Sequence, residues 1–209
     1  MADIVIDNLV LGIIATNCYL LMNKETRELV IIDPAAQADT IENLVQKMKA
    51  EPAAVLLTHG HFDHMLAAEG LKNRFSIPVY AFEREQEILE NAEDNLSDRW
   101  AKAYTMKADY LMKDKEELNL AGIRFHVIYT PGHTKGSVCF YLPDEGVLFS
   151  GDTLFAEGYG RTDLPTGSIT QMKESISALL TTLPSETKVY PGHGRTTEIS
   201  VEKRYNPLA

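Results

Sequence analysis

A histidine-rich turn is the part of this sequence best suited to chemistry. The stretch THGHFDH at 58–64 places three histidines and an aspartate within six positions: His59, His61, Asp63 and His64. The whole chain has only six histidines. Imidazole and carboxylate groups are the ligands that zinc and its neighbours prefer, and on one tight turn they would crowd and desolvate one another without a cation. The spacing therefore predicts a metal site.

The backbone around this turn favours two neighbouring ions. In an extended stretch, residues i and i+2 point the same way, so His59 and His61 can bind one ion. Asp63 and His64 lie where a helix is expected to begin and can face a second ion. We therefore expect a pair of adjacent metal sites.

Three later turns repeat the arrangement of a strand, a glycine turn and a potential ligand. They are TPGH at 130–133, SGD at 150–152 and YPGH at 190–193, and they end in His133, Asp152 and His193. Each of these residues alone would be an ordinary cap or loop residue. Joined to the histidine-rich turn, they predict one site. The remaining histidine, His126, has no glycine turn before it and is expected to be a strand residue that binds no metal.

The first half of the chain is expected to form a strand-rich region that leads into the histidine turn. Apolar runs bounded by turn residues predict an opening antiparallel meander and two later strands: Asp3–Asp7, Asn17–Asn23, Glu28–Asp33, Ala53–Leu57 and Ile77–Phe82. Apolar residues at helical spacing predict helices over Asp39–Ala50 and from Asp63 to Leu71. The turn thus lies between a strand and a helix.

The second half is expected to repeat this plan after a charged segment. Residues 83–115 are charged, lack strand alternation and predict a helical cap or insertion. The elements expected next are a second meander, a helix capped by Ser168 and a last strand: Ile123–Thr130, Ser137–Leu142, Val147–Ser150, Ser168–Leu183 and Lys188–Tyr190. The order predicts two sheets with helices outside, in a single domain over 1–209.

Composition limits the partners of the chain. Its 209 residues carry 20 Lys and Arg against 30 Asp and Glu, a formal net charge of −10. Because nucleic acids and acidic membranes would be repelled, we expect neither as a partner. Cys18 and Cys139 lie in apolar runs without paired spacing and are expected to be buried hydrophobes. No basic leader and no membrane-length apolar stretch occur, which predicts a cytoplasmic protein.

The motifs resemble the metallo-β-lactamase superfamily over nearly the whole chain. The resemblance rests on THGHFDH, PGH at 131–133, GDTLF at 151–155 and PGHG at 191–194. Within that superfamily, GRTD at 160–163 and the ending from Arg195 to Pro207 resemble the short glyoxalase II-like hydrolases. The resemblance implies an α+β fold, a four-layer αβ/βα sandwich with the metals at one edge between the sheets.

The resemblance also implies a complete ligand set. By position, the first metal would be held by His59, His61 and His133, the second by Asp63, His64 and His193, and Asp152 would bridge them. The implied cofactors are two divalent ions, expected to be zinc, with iron or manganese also open. Asp63 and Asp152 are the expected catalytic carboxylates, and Asp33 is a candidate to orient a histidine ligand.

The activity implied is hydrolysis of a small acyl thioester, such as an S-2-hydroxyacylglutathione, by a metal-bound hydroxide. A thiolate suits such a site because it leaves with little help from an acid. Expected substrate contacts are Lys135, Tyr159 and Arg161, although Arg161 and Asp163 also fit an ion pair that shapes the loop.

Other activities stay open at this point. A mononuclear iron persulfide dioxygenase of the same family would use His59, His133 and Asp152 alone. An RNA phosphodiesterase fits the ligands but conflicts with the net charge of −10, and a binding module without catalysis is disfavoured because every ligand position is filled. Longer glyoxalase II proteins carry a further helical region with glutathione contacts, so the thiol carrier is undetermined, as are the acyl group and the oligomeric state.

Overall fold

Two six-stranded sheets form the centre of the structure, a computed structural model that describes residues 3–100 and 102–209. The strands of the first sheet, in spatial and chain order, are β1 (Ile4–Leu11), β2 (Thr16–Asn23), β3 (Glu28–Ile32), β4 (Glu51–Leu56), β5 (Val79–Phe82) and β6 (Tyr110–Met112). Strands β1 to β3 are an antiparallel meander, as predicted, and β3 to β6 run parallel.

The second sheet is built around another antiparallel meander. In chain order its strands are β7 (Glu117–Leu120), β8 (Ile123–Tyr129), β9 (Val138–Leu142), β10 (Val147–Gly151), β13 (Lys188–Pro191) and β14 (Thr197–Glu198). Their spatial order is β14-β13-β10-β9-β8-β7, and β13 lies parallel to β10. A small hairpin of β11 (Leu154–Phe155) and β12 (Gly158–Tyr159) follows β10.

The helices cover the outer faces of these sheets. They are α1 (Ala38–Met48), α2 (Phe62–Met65), α3 (Ala68–Phe75), α4 (Gln86–Leu89), α5 (Ser97–Trp100), α6 (Ile169–Thr182) and α7 (Ile199–Tyr205). Ile41 of α1 and Leu71 of α3 pack on the first sheet, and Ile176 of α6 packs on the second. The expected αβ/βα sandwich is therefore confirmed.

Apolar side chains from both sheets form the inner core. Phe125, Phe140 and Phe149 of the second sheet are fully buried against residues such as Leu21 of the first. Packing of this kind supplies the main driving force for folding. It also holds the ends of strands from both sheets at one edge, where the loops with the predicted ligands emerge.

The segment over 83–115 is not the helical insertion that its charge predicted. It holds one 3-10 turn (Glu83–Glu85) and the short helices α4 and α5, and it ends in strand β6. Strand β6 pairs with β5, and Met112 is fully buried between the sheets. Tyr110 and Leu111 are adjacent, apolar and both exposed, so the sequence of this strand does not alternate between apolar and polar residues.

The helix predicted from Asp63 to Leu71 is two helices, α2 and α3. The Ala67 N–H donates to the Pro34 carbonyl at 3.0 Å, a bond outside the helix that separates them. Strands β7 and β14 and helix α7 were not predicted. The N-cap at Ser168 is confirmed, since its hydroxyl accepts from the Gln171 N–H.

Both cysteines are free and buried, as expected. Burial raises the pKa of the Cys139 thiol to about 11, and it also raises the pKa of Cys18. Neither is therefore a thiolate at neutral pH. Within the described ranges, the structure contains no helix that is long and apolar enough to span a membrane.

Candidate metal centre

Strand ends from both sheets bring all the predicted ligands to one place. His59 and His61 follow β4, and Asp63 and His64 lie in α2. The ligands from the second sheet follow β8, β10 and β13 and are His133, Asp152 and His193. Distant parts of the chain thus meet at one edge of the sandwich.

The first donor group consists of His59, His61 and His133. One nitrogen of each imidazole lies within 4.8 Å of the others. His61 Nδ1 and His133 Nε2 are 2.9 Å apart. The rings of His59 and His133 are nearly perpendicular, with centroids 4.7 Å apart, so three nitrogens can face one point.

The second donor group consists of Asp63, His64 and His193. Asp63 Oδ2 lies 3.4 Å from His64 Nε2 and 3.4 Å from His193 Nε2. Asp152 lies between the two groups: its Oδ1 is 3.4 Å from His64 Nε2, and its Oδ2 is 3.5 Å from His133 Nε2. Its two oxygens therefore reach both groups.

Hydrogen bonds outside the site orient the imidazoles. His64 Nδ1 donates to Asp33 Oδ2 at 2.8 Å, and His133 Nδ1 donates to the Arg161 carbonyl at 2.8 Å. Because both acceptors lack a proton, each Nδ1 carries the hydrogen, and each Nε2 faces the centre, where it can bind a metal. The predicted role of Asp33 is thereby confirmed. It also accepts from the Thr58 N–H and hydroxyl at 2.8 and 2.7 Å.

Several buried donor atoms of the site have no hydrogen-bond partner. They are His59 Nε2, His61 Nε2, His64 Nε2 and Asp152 Oδ1. Buried polar atoms without partners are costly and rare in proteins, and nitrogen and oxygen lone pairs of this kind suit a divalent transition metal. The residues therefore fit a metal centre.

The protonation states suit metal binding as well. Burial lowers the pKa of His59, of His133 and, to about 3, of His61, so these imidazoles are neutral at pH 7. Burial opposes ionisation of Asp152, but the nearby His64 outweighs it and lowers the pKa of Asp152 to about 2. The first donor group thus offers neutral imidazoles, and Asp152 offers an ionised carboxylate, the forms that bind metals. In the second donor group burial is outweighed by the nearby carboxylates, chiefly Asp63, which raise the pKa of His64 and His193, so a metal ion would displace protons from these two imidazoles.

We expect the metal-free protein to lose stability as the pH falls from 6.5 to 4.5. The unfolded chain gains a proton on His61 below pH 6.5, whereas the folded chain does not until about pH 3. Acid therefore favours unfolding, by about 1.4 kcal/mol per pH unit for one such histidine. Urea unfolding of chelator-treated protein at pH 6.5, 5.5 and 4.5 measures the slope.

His61→Ala should reduce that slope, while His126→Ala, the matched control outside the site, should leave it unchanged. His126 lies on β8, 3.0 Å from Glu117 Oε1 and away from the donor groups, which agrees with its exclusion from the site. Equal slopes for wild type and His61→Ala would contradict the prediction.

Glycines before the ligands allow the close approach of these loops. A Cβ on Gly192 would lie 2.3 Å from Asp152 Oδ1 and 2.8 Å from His64 Cε1. A Cβ on Gly151, which has a φ of +47°, would lie 2.4 Å from Thr58 Oγ1. No other residue type fits these two positions without displacing the site.

Strand β2 contributes site residues that the sequence did not reveal. The Thr16 hydroxyl donates to Asp63 Oδ2 at 2.8 Å, and Asn17 Nδ2 donates to the Pro191 carbonyl at 2.9 Å. The Tyr19 hydroxyl donates to the same carbonyl at 2.7 Å. The contacts of Asn17 and Tyr19 hold the loop of His193 against the first sheet, and Thr16 holds Asp63. The run TNCYLLM indicated only a strand.

The side chains of the predicted substrate contacts have other partners or are partly buried. The Lys135 ammonium pairs with Glu87, and Tyr159 is half-buried in β12. Arg161 forms the expected ion pair with Asp163, at 2.8 and 2.7 Å. Its carbonyl, rather than its guanidinium, contacts the ligand His133.

Glu85 is a further residue that sequence reasoning missed. Its carboxylate is fully buried and accepts from the Gly60 N–H at 2.6 Å and the Thr134 hydroxyl at 2.5 Å. Burial raises the pKa of Glu85 to about 7, although these bonds oppose the shift. A glutamate in a charged segment carries no local signal of burial.

The sandwich and its donor set are those expected of the metallo-hydrolase superfamily. Residues 11–193 match the metallo-β-lactamase superfamily. The chain belongs to this superfamily, as its motifs predicted, and members of the superfamily bind divalent metals.

Relatives with assigned names cover nearly the whole chain. The probable metallo-hydrolase YqgX of Bacillus subtilis is 36% identical over 94% of this chain and 93% of its own length. Hydroxyacylglutathione hydrolase GloC of Haemophilus influenzae is 32% identical, with 92% of each chain covered. Both names denote hydrolases.

Solved structures agree with the fold. BLEG-1, a B3 metallo-β-lactamase, has a TM-score of 0.92 at 40% identity, covering 98% of this chain and 99% of its own. TTHA1623 in a di-iron-bound form scores 0.86 at 32% identity, covering 97% and 100%. ETHE1 from Myxococcus xanthus scores 0.82 at 31% identity, covering 97% and 83%.

Proposed function

We propose that the protein is a dinuclear zinc hydrolase of small acyl thioesters, with 2-hydroxyacyl thioesters of glutathione as model substrates. The observation that carries the proposal is the position of Asp152, whose two oxygens reach the first and the second donor group. The similarity to a hydroxyacylglutathione hydrolase supports the substrate class.

The chain's own residues would divide the binding of two ions between them. The first donor group and Asp152 would hold one ion, and the second donor group and Asp152 would hold the other. Such ions supply Lewis-acid chemistry, which polarises a carbonyl and makes water nucleophilic at neutral pH. The outer hydrogen bonds of Asp33, Thr16 and the Arg161 carbonyl keep the ligands oriented for this purpose.

The electrostatics of the site favour a good leaving group. Nearby histidines lower the pKa of both Asp63 and Asp152 although burial opposes this, so both are ionised at neutral pH and accept rather than donate protons. A thiolate, whose conjugate acid has a pKa of about 8.5, departs without protonation. Thioesters therefore suit this site better than amides or alkyl esters.

A substrate panel at neutral pH tests the proposal. We expect release of free thiol from a 2-hydroxyacyl glutathione thioester, at a rate well above hydrolysis of a lactone or a β-lactam. His61→Ala should reduce thioester cleavage at least about a hundredfold by removing a ligand, and His126→Ala should have no effect.

The same panel separates the alternatives that similarity suggests. ETHE1 and BLEG-1 are both similar to this chain, so glutathione persulfide with an oxygen electrode and a β-lactam are included. Oxygen uptake with the persulfide, or fastest turnover of the β-lactam, would each overturn the thioester proposal. A mononuclear dioxygenase would use His59, His133 and Asp152 and leave His61 and His64 as polar neighbours. The contacts of Asp152 with both donor groups favour a two-metal site instead.

A further inference from the structure

Two ligand turns of the first donor group come from different sheets. The turn of His59 and His61 follows β4 of the first sheet, and the turn of His133 follows β8 of the second. No strand pairing joins β4 to β8, which lie in separate sheets. Yet His61 Nδ1 and His133 Nε2 lie 2.9 Å apart. The Val138 N–H donates to the Thr58 carbonyl at 2.9 Å and joins the sheets just before His59, but this bond reaches neither the residue between His59 and His61 nor the turn of His133.

Glu85 spans these two turns. One carboxylate oxygen, Oε2, accepts from the N–H of Gly60, the residue between His59 and His61. The other, Oε1, accepts from the hydroxyl of Thr134, the residue after His133. The side chain is fully buried, and it therefore contacts one turn with each oxygen inside the protein.

The surrounding residues are shaped to admit this carboxylate. A Cβ on Gly60 would lie 2.9 Å from Glu85 Oε2, and a Cβ on Gly136 would lie 2.7 Å from Glu85 Oε1. The Thr134 hydroxyl also lies 2.6 Å from Ser137 Oγ, which orients it. A buried carboxylate is costly unless such donors surround it, so its presence between the two turns calls for a role there.

We propose that Glu85 is a positioning residue that holds the turn of His61 against the turn of His133 and so fixes the geometry of the first donor group. This inference rests on the proposed function, since it concerns the metal that this group would hold. The second donor group makes no contact with Glu85, so the effect is selective for one site.

Site-resolved metal titration tests the inference. His193→Ala leaves the first donor group intact, and His61→Ala leaves the second intact. Co2+ affinity is measured by its d–d absorption in each variant, with and without Glu85→Ala. Removing an outer hydrogen-bond partner weakens metal binding about 10- to 100-fold. We expect this loss in the His193→Ala background and less than about a twofold change in the His61→Ala background.

Two further variants control for stability. Glu202→Gln alters another fully buried glutamate, which accepts from the Glu157 N–H at 3.0 Å and contacts no ligand turn. It should lower the melting temperature without changing Co2+ affinity. If Glu85→Ala does not fold, Glu85→Gln decides the matter, because it keeps the shape but loses one acceptor, and at least about a threefold loss at the first site is expected.

The outcomes distinguish the two proposals. Wild-type protein that binds no Co2+ would contradict the proposed function itself. Wild-type protein that binds Co2+, with Glu85 variants that bind it equally well or lose affinity equally at both sites, would overturn the role of Glu85 alone.

Discussion

Replacing Asp152 with alanine is expected to lower kcat/KM for the thioester by at least about a thousandfold, because metal-ion catalysis is worth several kcal/mol. Asp152 lies within 3.5 Å of His133 of the first donor group and of His64 and His193 of the second. Its loss would remove a ligand from each ion. Steady-state kinetics and metal analysis of the same sample measure both effects.

Asp144→Ala is the matched control for Asp152→Ala. Asp144 pairs with Arg124 on an exposed part of the second sheet, with a distance of 2.6 Å. Exposed ion pairs contribute little to stability, so this variant should keep wild-type activity and metal content. Asp152→Ala protein that retained two ions and a tenth of the activity would contradict the bridging role.

Asp33→Asn is expected to weaken binding of one metal about 10- to 100-fold, through His64. Asparagine keeps the size of the side chain and tolerates the φ of +50° at this position. Its amide cannot serve the Thr58 N–H, the Thr58 hydroxyl and His64 Nδ1 as acceptor at once, as the carboxylate does. The preferred tautomer of His64 would then be lost.

Metal titration in two backgrounds separates this effect from general destabilisation. Asp33→Asn should reduce Co2+ affinity in the His61→Ala background, where His64 remains a ligand of the intact second donor group. It should have a smaller effect in the His193→Ala background, because Asp33 reaches His59 of the first donor group only through Thr58, whose hydroxyl lies 3.2 Å from His59 Nδ1. Equal losses in both backgrounds, or none, would show that Asp33 does not act through His64.

Much of the site could be predicted from the sequence because its signals are local. The histidine turn and the three glycine turns each lie directly after an apolar strand, and strand ends at one edge of a sandwich must meet. The position of Asp33 near the site could be predicted for the same reason, since this residue follows β3, the neighbour of β4. Its bond to His64 is the expected kind of outer contact.

What could not be predicted depends on contacts between distant residues. Glu85 looks like any acid of a charged segment until the fold buries it between two turns. The sequence around Thr16 and Asn17 predicts only the start of a strand. In the structure Thr16 holds Asp63, and Asn17 holds the turn of His193. Strand β6 was missed because sheet pairing, rather than its own alternation, makes it a strand.

The number of metal ions bound to each chain tests the central claim most directly. Native mass spectrometry of the purified protein reports that number for wild type, His193→Ala and Asp152→Ala. We predict two divalent ions on the wild-type chain, no more than one on His193→Ala, and loss of the paired state in Asp152→Ala. A wild-type chain that carries no ion, or a single ion that both substitutions leave in place, would contradict the two-metal centre.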